Sequence, residues 1–124
     1  MGWTLDKNRP ICPQIYENIC VKIAKGEYKP NDRIQSVREI AVDAGVNPNT
    51  VQKALAILEE NGLVYSLRGS GIYVADNADV AKKIIEQIKL NKIASFFDEM
   101  SSLGLCGEEI KRSVELFLIE KGVD

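Results

Sequence analysis

Residues 36–62, SVREIAVDAGVNPNTVQKALAILEENG, carry two helix starts and two helix stops with almost no chain between them. Ser36 and Glu39 have the S-x-x-E spacing of a capping box, in which each side chain satisfies the other residue's backbone N–H. Gly45 suits the left-handed position that ends a helix. Only Val46 separates it from Asn47, an N-cap residue, and Pro48, which fits the first helical position. Gly62 closes the second helix. Two short helices joined by a glycine turn are a helix-turn-helix.

Val51, Ala54, Leu55 and Leu58 fall at i, i+3, i+4 and i+7 and cluster on one side of the second helix. Asn49, Gln52, Lys53 and Ala56 lie on the opposite side. Upstream, the spacing of Ile15, Ile19, Cys20, Val21 and Ile23 predicts a helix over 14–25, with Pro13 in its first turn and Gly26 past its end. YKPNDR at 28–33 reads as a loop. After Gly62 the period shortens: LVYSL and GIYVA are β-rich runs around a tip holding Arg68, Gly69, Ser70 and Gly71. A helix-turn-helix followed by a hairpin is a winged helix.

From Asn77 the chain is helical again. Val80, Ile84, Ile88, Ile93, Phe96, Phe97 and Met100 keep close to a 3.6 period, and Glu108–Lys121 forms a last helix with Ile110, Val114, Phe117 and Leu118 on its face. Two such helices cannot bury both stripes alone and need the winged helix or a second copy of the chain, the second copy being the expected partner. The fold class is therefore mostly α (α+β): a winged helix-turn-helix over 1–75 with a two-stranded wing, then a two-helix dimerisation segment over 76–124.

Net charge is −2, but it is unevenly spread: nine basic and eight acidic residues precede Asp76, against seven and ten from there on. That asymmetry permits a DNA-facing N-terminal part. No apolar run approaches the roughly 20 residues that span a bilayer, and the N-terminus lacks the apolar core of a secretion signal. Asp6 stands where a myristoylation site needs Ser or Thr. A cytoplasmic protein is expected. Three cysteines without a CxxC pair and the absence of histidine remove zinc-finger spacing and His-based catalysis. Cys20 reads as a core residue, while Cys12 and Cys106 have no assigned part. The pairs Glu59-Glu60 and Glu108-Glu109 read as solvated charge. No enzyme, cofactor or metal is expected, and no pattern names a small-molecule effector.

The helix beginning at Asn47 is the leading candidate for chemistry. Unpaired N–H groups at such a terminus suit phosphate. Asn and Gln can pair with adenine in a major groove, and Lys53 can reach a guanine or a phosphate. Asn47 and Thr50 are also explained as caps, Asn47 above all. Asn49, Gln52 and Lys53 are harder to explain as plain surface, where Glu, Lys and Ala are favoured. Arg38, one turn into the preceding helix, suits a DNA backbone contact, or a surface ion pair with Glu39 or Asp43. The tip with Arg68 can lie along a minor groove, although a tight turn alone accounts for its glycines.

These residues resemble a known family. GEYKPNDRIQSVREIAVDAGVNPNTVQKALAILEENGLVYSLRGSGIYV, from Gly26 to Val74, is similar to the DNA-binding domain of the GntR family of bacterial transcription regulators. The helix start, the recognition-helix entrance, the LEENGLV exit and the RGSGIYV wing follow that family's order and spacing. With the lead-in helix the likeness covers about half the chain, and the short helical tail looks like the YtrA subfamily. The resemblance implies that Arg38, the entrance from Asn47 through Asn49, Thr50 and Gln52 to Lys53, and the wing from Arg68 through Gly69 and Ser70 to Gly71 contact double-stranded operator DNA. Ser36 matches the family's capping serine and is a candidate phosphate contact. Gln35 stands where the family has proline, and Lys53 where arginine is common, without arginine's bidentate fork. The resemblance further implies a homodimeric regulator, a repressor on a palindromic operator, associated with transporter operons. The competing reading is a winged helix used for protein–protein assembly. It would favour apolar residues on the outer face of the 47–61 helix, which is polar.

Overall fold

In the structure, a computed structural model that describes residues 3–123, the first helix starts earlier than its periodicity predicts: α1 is Ile11–Lys25. Pro13 is tolerated because the first four N–H groups of a helix have no partner within it, so a missing one costs nothing. Ile15, Ile19, Cys20 and Ile23 are buried, and Val21 is only half-buried. Burial raises the Cys20 thiol from its ordinary 9.0 to about 11, so it is an inert core group at neutral pH.

Helices α2 (Val37–Ala44) and α3 (Pro48–Glu60) follow the start and stop signals read from the sequence. Ser36 Oγ accepts from Glu39 N at 3.1 Å and Glu39 Oε1 from Ser36 N at 3.1 Å, completing the capping box. Gly45 takes φ 69°, the left-handed turn that a side chain would strain. Asn61 caps α3, with Gly62 one residue beyond it carrying the left-handed φ of 76°. The inner face of α3 (Val51, Ala54, Leu55, Leu58) is buried and packs on α1 and α2.

Strands β1 (Val64–Leu67) and β2 (Gly71–Val74) pair antiparallel, with Val64 opposite Val74 and Tyr65 opposite Tyr73. The segment read as a plain loop at 28–33 does more than turn. Asn31 N donates to Val74 O (2.7 Å), Val74 N to Asp32 O (2.9 Å) and Ile34 N to Ile72 O (2.9 Å), so this backbone edges the wing as a third, short partner of β2. Open N–H and C=O groups along β2 draw it there, a tertiary demand that leaves no periodic trace in the sequence.

Helix α4 (Ala78–Ser102) and helix α5 (Gly107–Lys121) complete the chain. By compactness the chain separates into one unit through Glu86 and another from Gln87, the division falling inside α4. Ala81 is fully buried in the first unit's core, with Val80, Ile84 and Ile85 packed against it. In the second unit Ile110 is buried and Val114 half-buried, and Phe96, Met100, Ser113, Val114 and Phe117 line an open, mostly apolar cavity of about 270 Å³. Among the described residues no helix is long and apolar enough to cross a membrane.

Candidate nucleic-acid interface

The outward face of α3 carries no acid over its first three turns, and the exposed Glu59 and Glu60 lie only at its C-terminal end. From Pro48 to Leu58 it has no carboxylate, and Asn49, Gln52, Lys53 and Ala56 are all exposed. The side chains of Asn49, Gln52 and Lys53 make no hydrogen bond or ion pair with other described residues. The helix backbone therefore carries their amide and ammonium groups outward, committed to no other part of the protein.

One expectation about this helix needs correction. Its N-terminus does not present unpaired N–H groups. Pro48 has none, Asn49 N donates to Asn47 Oδ1 (2.8 Å), and Thr50 N and Val51 N both donate to Asn47 O, at 3.0 and 3.3 Å. Asn47 thus consumes the local donors, and what α3 offers a ligand is the partial charge of its dipole together with side chains. Thr50 is half-buried beside this cap.

Arg38 is exposed on α2 and has no ion-pair partner among the described residues. The two carboxylates that could have neutralised it are engaged. Glu39 accepts from Ser36, whose backbone N–H holds the carboxyl below its usual range, and Asp43 accepts from Gln35 Nε2 at 2.6 Å. Gln35, at the position where proline was the expectation, therefore contributes a polar tie between the lead-in and α2. Its own Oε1 is buried without a partner.

At the wing tip Arg68 is exposed and uncommitted, Gly69 has φ 78°, and the Ser70 hydroxyl bonds to the Tyr73 hydroxyl. Tyr65 and Tyr73 stack with ring centroids 5.7 Å apart, and Tyr65 OH donates to Asn31 Oδ1 at 2.8 Å. Sequence reasoning missed Arg33. Its Nε donates to Ser70 O at 3.2 Å, and a Cβ on Gly71 would sit only 2.8 Å from that Nε. Arg33 thus pins the tip beside Gly71, whose φ of 140° favours glycine and where a side chain would push the guanidinium aside. The available signal was Gly71 itself, because glycine at a strand end marks a close approach.

The chain matches the family described as bacterial regulatory proteins, gntR family, over residues 13–74. It is 32% identical over 110 residues to the Bacillus subtilis protein described as the uncharacterized HTH-type transcriptional regulator YhcF, covering 89% of this chain and 91% of that one. It is 45% identical over 69 residues to the B. subtilis HTH-type transcriptional repressor YtrA, covering 56% of this chain and 53% of the repressor. Among solved structures, a GntR family transcriptional regulator from Listeria monocytogenes superposes with a TM-score of 0.73 at 36% identity, covering 90% of this chain and 97% of the other. AraR(DBD) in complex with operator ORE1 superposes with a TM-score of 0.52 at 31% identity over 60% of this chain and 94% of that one. The chain spans nine-tenths of YhcF and about half of YtrA. With its helix-turn-helix and two-stranded wing, this chain belongs to the gntR family of bacterial regulatory proteins, as a DNA-binding transcription regulator and not an enzyme.

Proposed function

We propose that this chain is a homodimeric repressor of the YtrA type, acting in the cytoplasm on a palindromic operator. The observation that carries this reading is the outer face of α3, where Asn49, Gln52 and Lys53 are exposed and uncommitted, with no carboxylate in the helix before Glu59. In this reading α3 enters the major groove, Asn49 and Gln52 read base edges, and Lys53 reaches a guanine or a phosphate. Arg38 binds phosphate, with Ser36 and Thr50 beside it, and Asn47 acts first as the cap. Arg68, Gly69, Ser70 and Gly71 follow the adjacent minor groove. Residues 1–75 carry DNA binding and 76–124 the dimer, while the first turns of α4 also close the winged-helix core. The operon that encodes the protein, with transporter genes in it, is the proposed target.

The dimer is supported by large apolar side chains left exposed on both tail helices. Leu90, Ile93, Phe96 and Phe97 on α4, and Leu116, Phe117, Leu118 and Ile119 on α5, are all 36% or more exposed. So much apolar surface on a single chain marks an interface. Two recognition helices related by a two-fold axis would then meet half-sites about one helical turn apart.

The test is selection of duplexes by the wild-type protein from a randomised library. Enrichment of a two-fold symmetric sequence is expected, with affinity falling steeply as salt rises, because each phosphate contact releases counterions. Phe117→Glu should yield a monomer by sedimentation and lose the two-fold preference, since burying an unpaired charge at an interface costs several kcal/mol. No enriched duplex, or a wild type that sediments as a monomer, would count against the proposal.

A further inference from the structure

The turn between α2 and α3 is left with carbonyls that the helices themselves cannot satisfy. Ala44 O would ordinarily accept from the residue four positions on, but that residue is Pro48, which has no N–H. Gly45 and Val46 N–H groups reach back to Val42 and Ala41, and leave Ala44 O and Gly45 O open. Helix α2 carries no basic residue in its last turn to offset the negative end of its dipole.

A residue far upstream fills this gap. Lys7 Nζ donates to Ala44 O at 3.1 Å and to Gly45 O at 3.0 Å. Lys7 belongs to an arm, residues 3–10, that precedes α1 and lies outside the family match over 13–74. The arm is folded back by Gln14: Asp6 N donates to Gln14 Oε1 (2.7 Å), while Gln14 Nε2 donates to Asp6 O and Pro10 O (2.9 Å each). Asp6 also accepts from Asn8 N (2.9 Å) and from Arg9 Nε (3.0 Å). Farther along, Trp3 and Leu5 pack against the core, and Lys22 Nζ lies 5.0 Å from the Trp3 ring centroid. Two anchors on the domain, Gln14 and the packing of Trp3 and Leu5, together with a turn closed by Asp6, therefore deliver one ammonium group to the α2–α3 turn.

We infer that Lys7 is a positioning residue for operator recognition: the arm braces the Gly45–Asn47 turn and so aims the start of α3 at the groove. The brace rests on the DNA-binding reading above. It acts through the turn and not through a contact with DNA, and this separates it from Arg38 or Lys53. A small error in placing a recognition element is costly, because paired hydrogen bonds to base edges tolerate little misalignment.

The experiment uses the full chain and the duplex that wild type selects. Lys7→Met should weaken binding about tenfold, the scale of one charge-assisted hydrogen bond. The slope of log affinity against log salt should stay at the wild-type value, since no phosphate contact is lost. Lys7→Arg should restore most of the affinity, and Gln14→Leu, which frees the arm without changing charge, should reproduce the loss. Amide exchange at Val46 should quicken in both Lys7→Met and Gln14→Leu, a readout independent of DNA. Wild-type affinity in Lys7→Met, a salt slope reduced by about one, or unchanged exchange at Val46 would overturn the brace. A wild type that selects no duplex would instead sink the DNA-binding reading, with the exchange measurement still deciding the brace.

Discussion

Leu58→Ala is expected to destabilise the protein by about 2–5 kcal/mol, the cost of lost burial plus the cavity left behind. Leu58 is fully buried on the inner face of α3, in a core that draws Ile15 and Ile19 from α1, Ile40 from α2, Leu63 and Val64 at the wing, and Ala81 from α4. Helix α3 packs on α1, α2 and β1, so a cavity on its buried face is bounded by regular elements that relax only in part. A domain of this size has about 5–15 kcal/mol of stability in total, so the loss is a large share of it. Urea unfolding followed by circular dichroism measures it. Ala56→Ser on the exposed face of the same helix serves as the comparison, with a change within about 0.5 kcal/mol. A Leu58→Ala loss below about 1 kcal/mol would mean that this core is more adaptable than its packing indicates.

Replacing Arg38 and Asn49 together by alanine is expected to abolish specific binding while leaving the urea midpoint in place. Both side chains are exposed and neither supports another part of the fold. A good side-chain contact to a base is worth about 1–3 kcal/mol of discrimination, or roughly 10- to 100-fold in affinity. The two single variants should differ in kind. Arg38→Ala should weaken all sequences similarly and lower the salt slope by about one, whereas Asn49→Ala should relax preference at one base pair and leave the slope alone. Gel-shift titrations over a salt series, on the selected duplex and on a scrambled one, separate the two signatures. Wild-type affinity in both single variants would put the recognition face elsewhere.

The two replacements contrast because α3 has two faces, and both were legible in its sequence. The spacing of Val51, Ala54, Leu55 and Leu58 sorts the helix into an inside and an outside, and burial follows that division. The capping box at Ser36, the glycine stop at Gly45 and the Asn47-Pro48 start are local chemistry, so residues a few positions apart suffice to specify them. The hairpin was legible for the same reason.

Contacts made across long stretches of chain were not. Arg33 reaches Ser70 over 37 positions, and Lys7 reaches Ala44 over 37. No period or spacing encodes such pairs. They exist because α1, the wing and the helix-turn-helix are brought together by one core, which leaves particular carbonyls open beside particular cations. The start of α3 shows the same limit in reverse. A helix terminus read alone suggests free N–H donors, whereas the cap geometry at Asn47 uses them up.

By itself, then, the amino-acid sequence determined where the helices of the helix-turn-helix begin and end and which faces are apolar, because capping and periodicity act within a few residues. Tertiary structure alone decided how the wing is pinned by Arg33, where Arg38 is left without a carboxylate, and which side chain closes the turn before α3. Those outcomes depend on which polar groups lack partners once the core has formed, and that is settled only when distant segments meet.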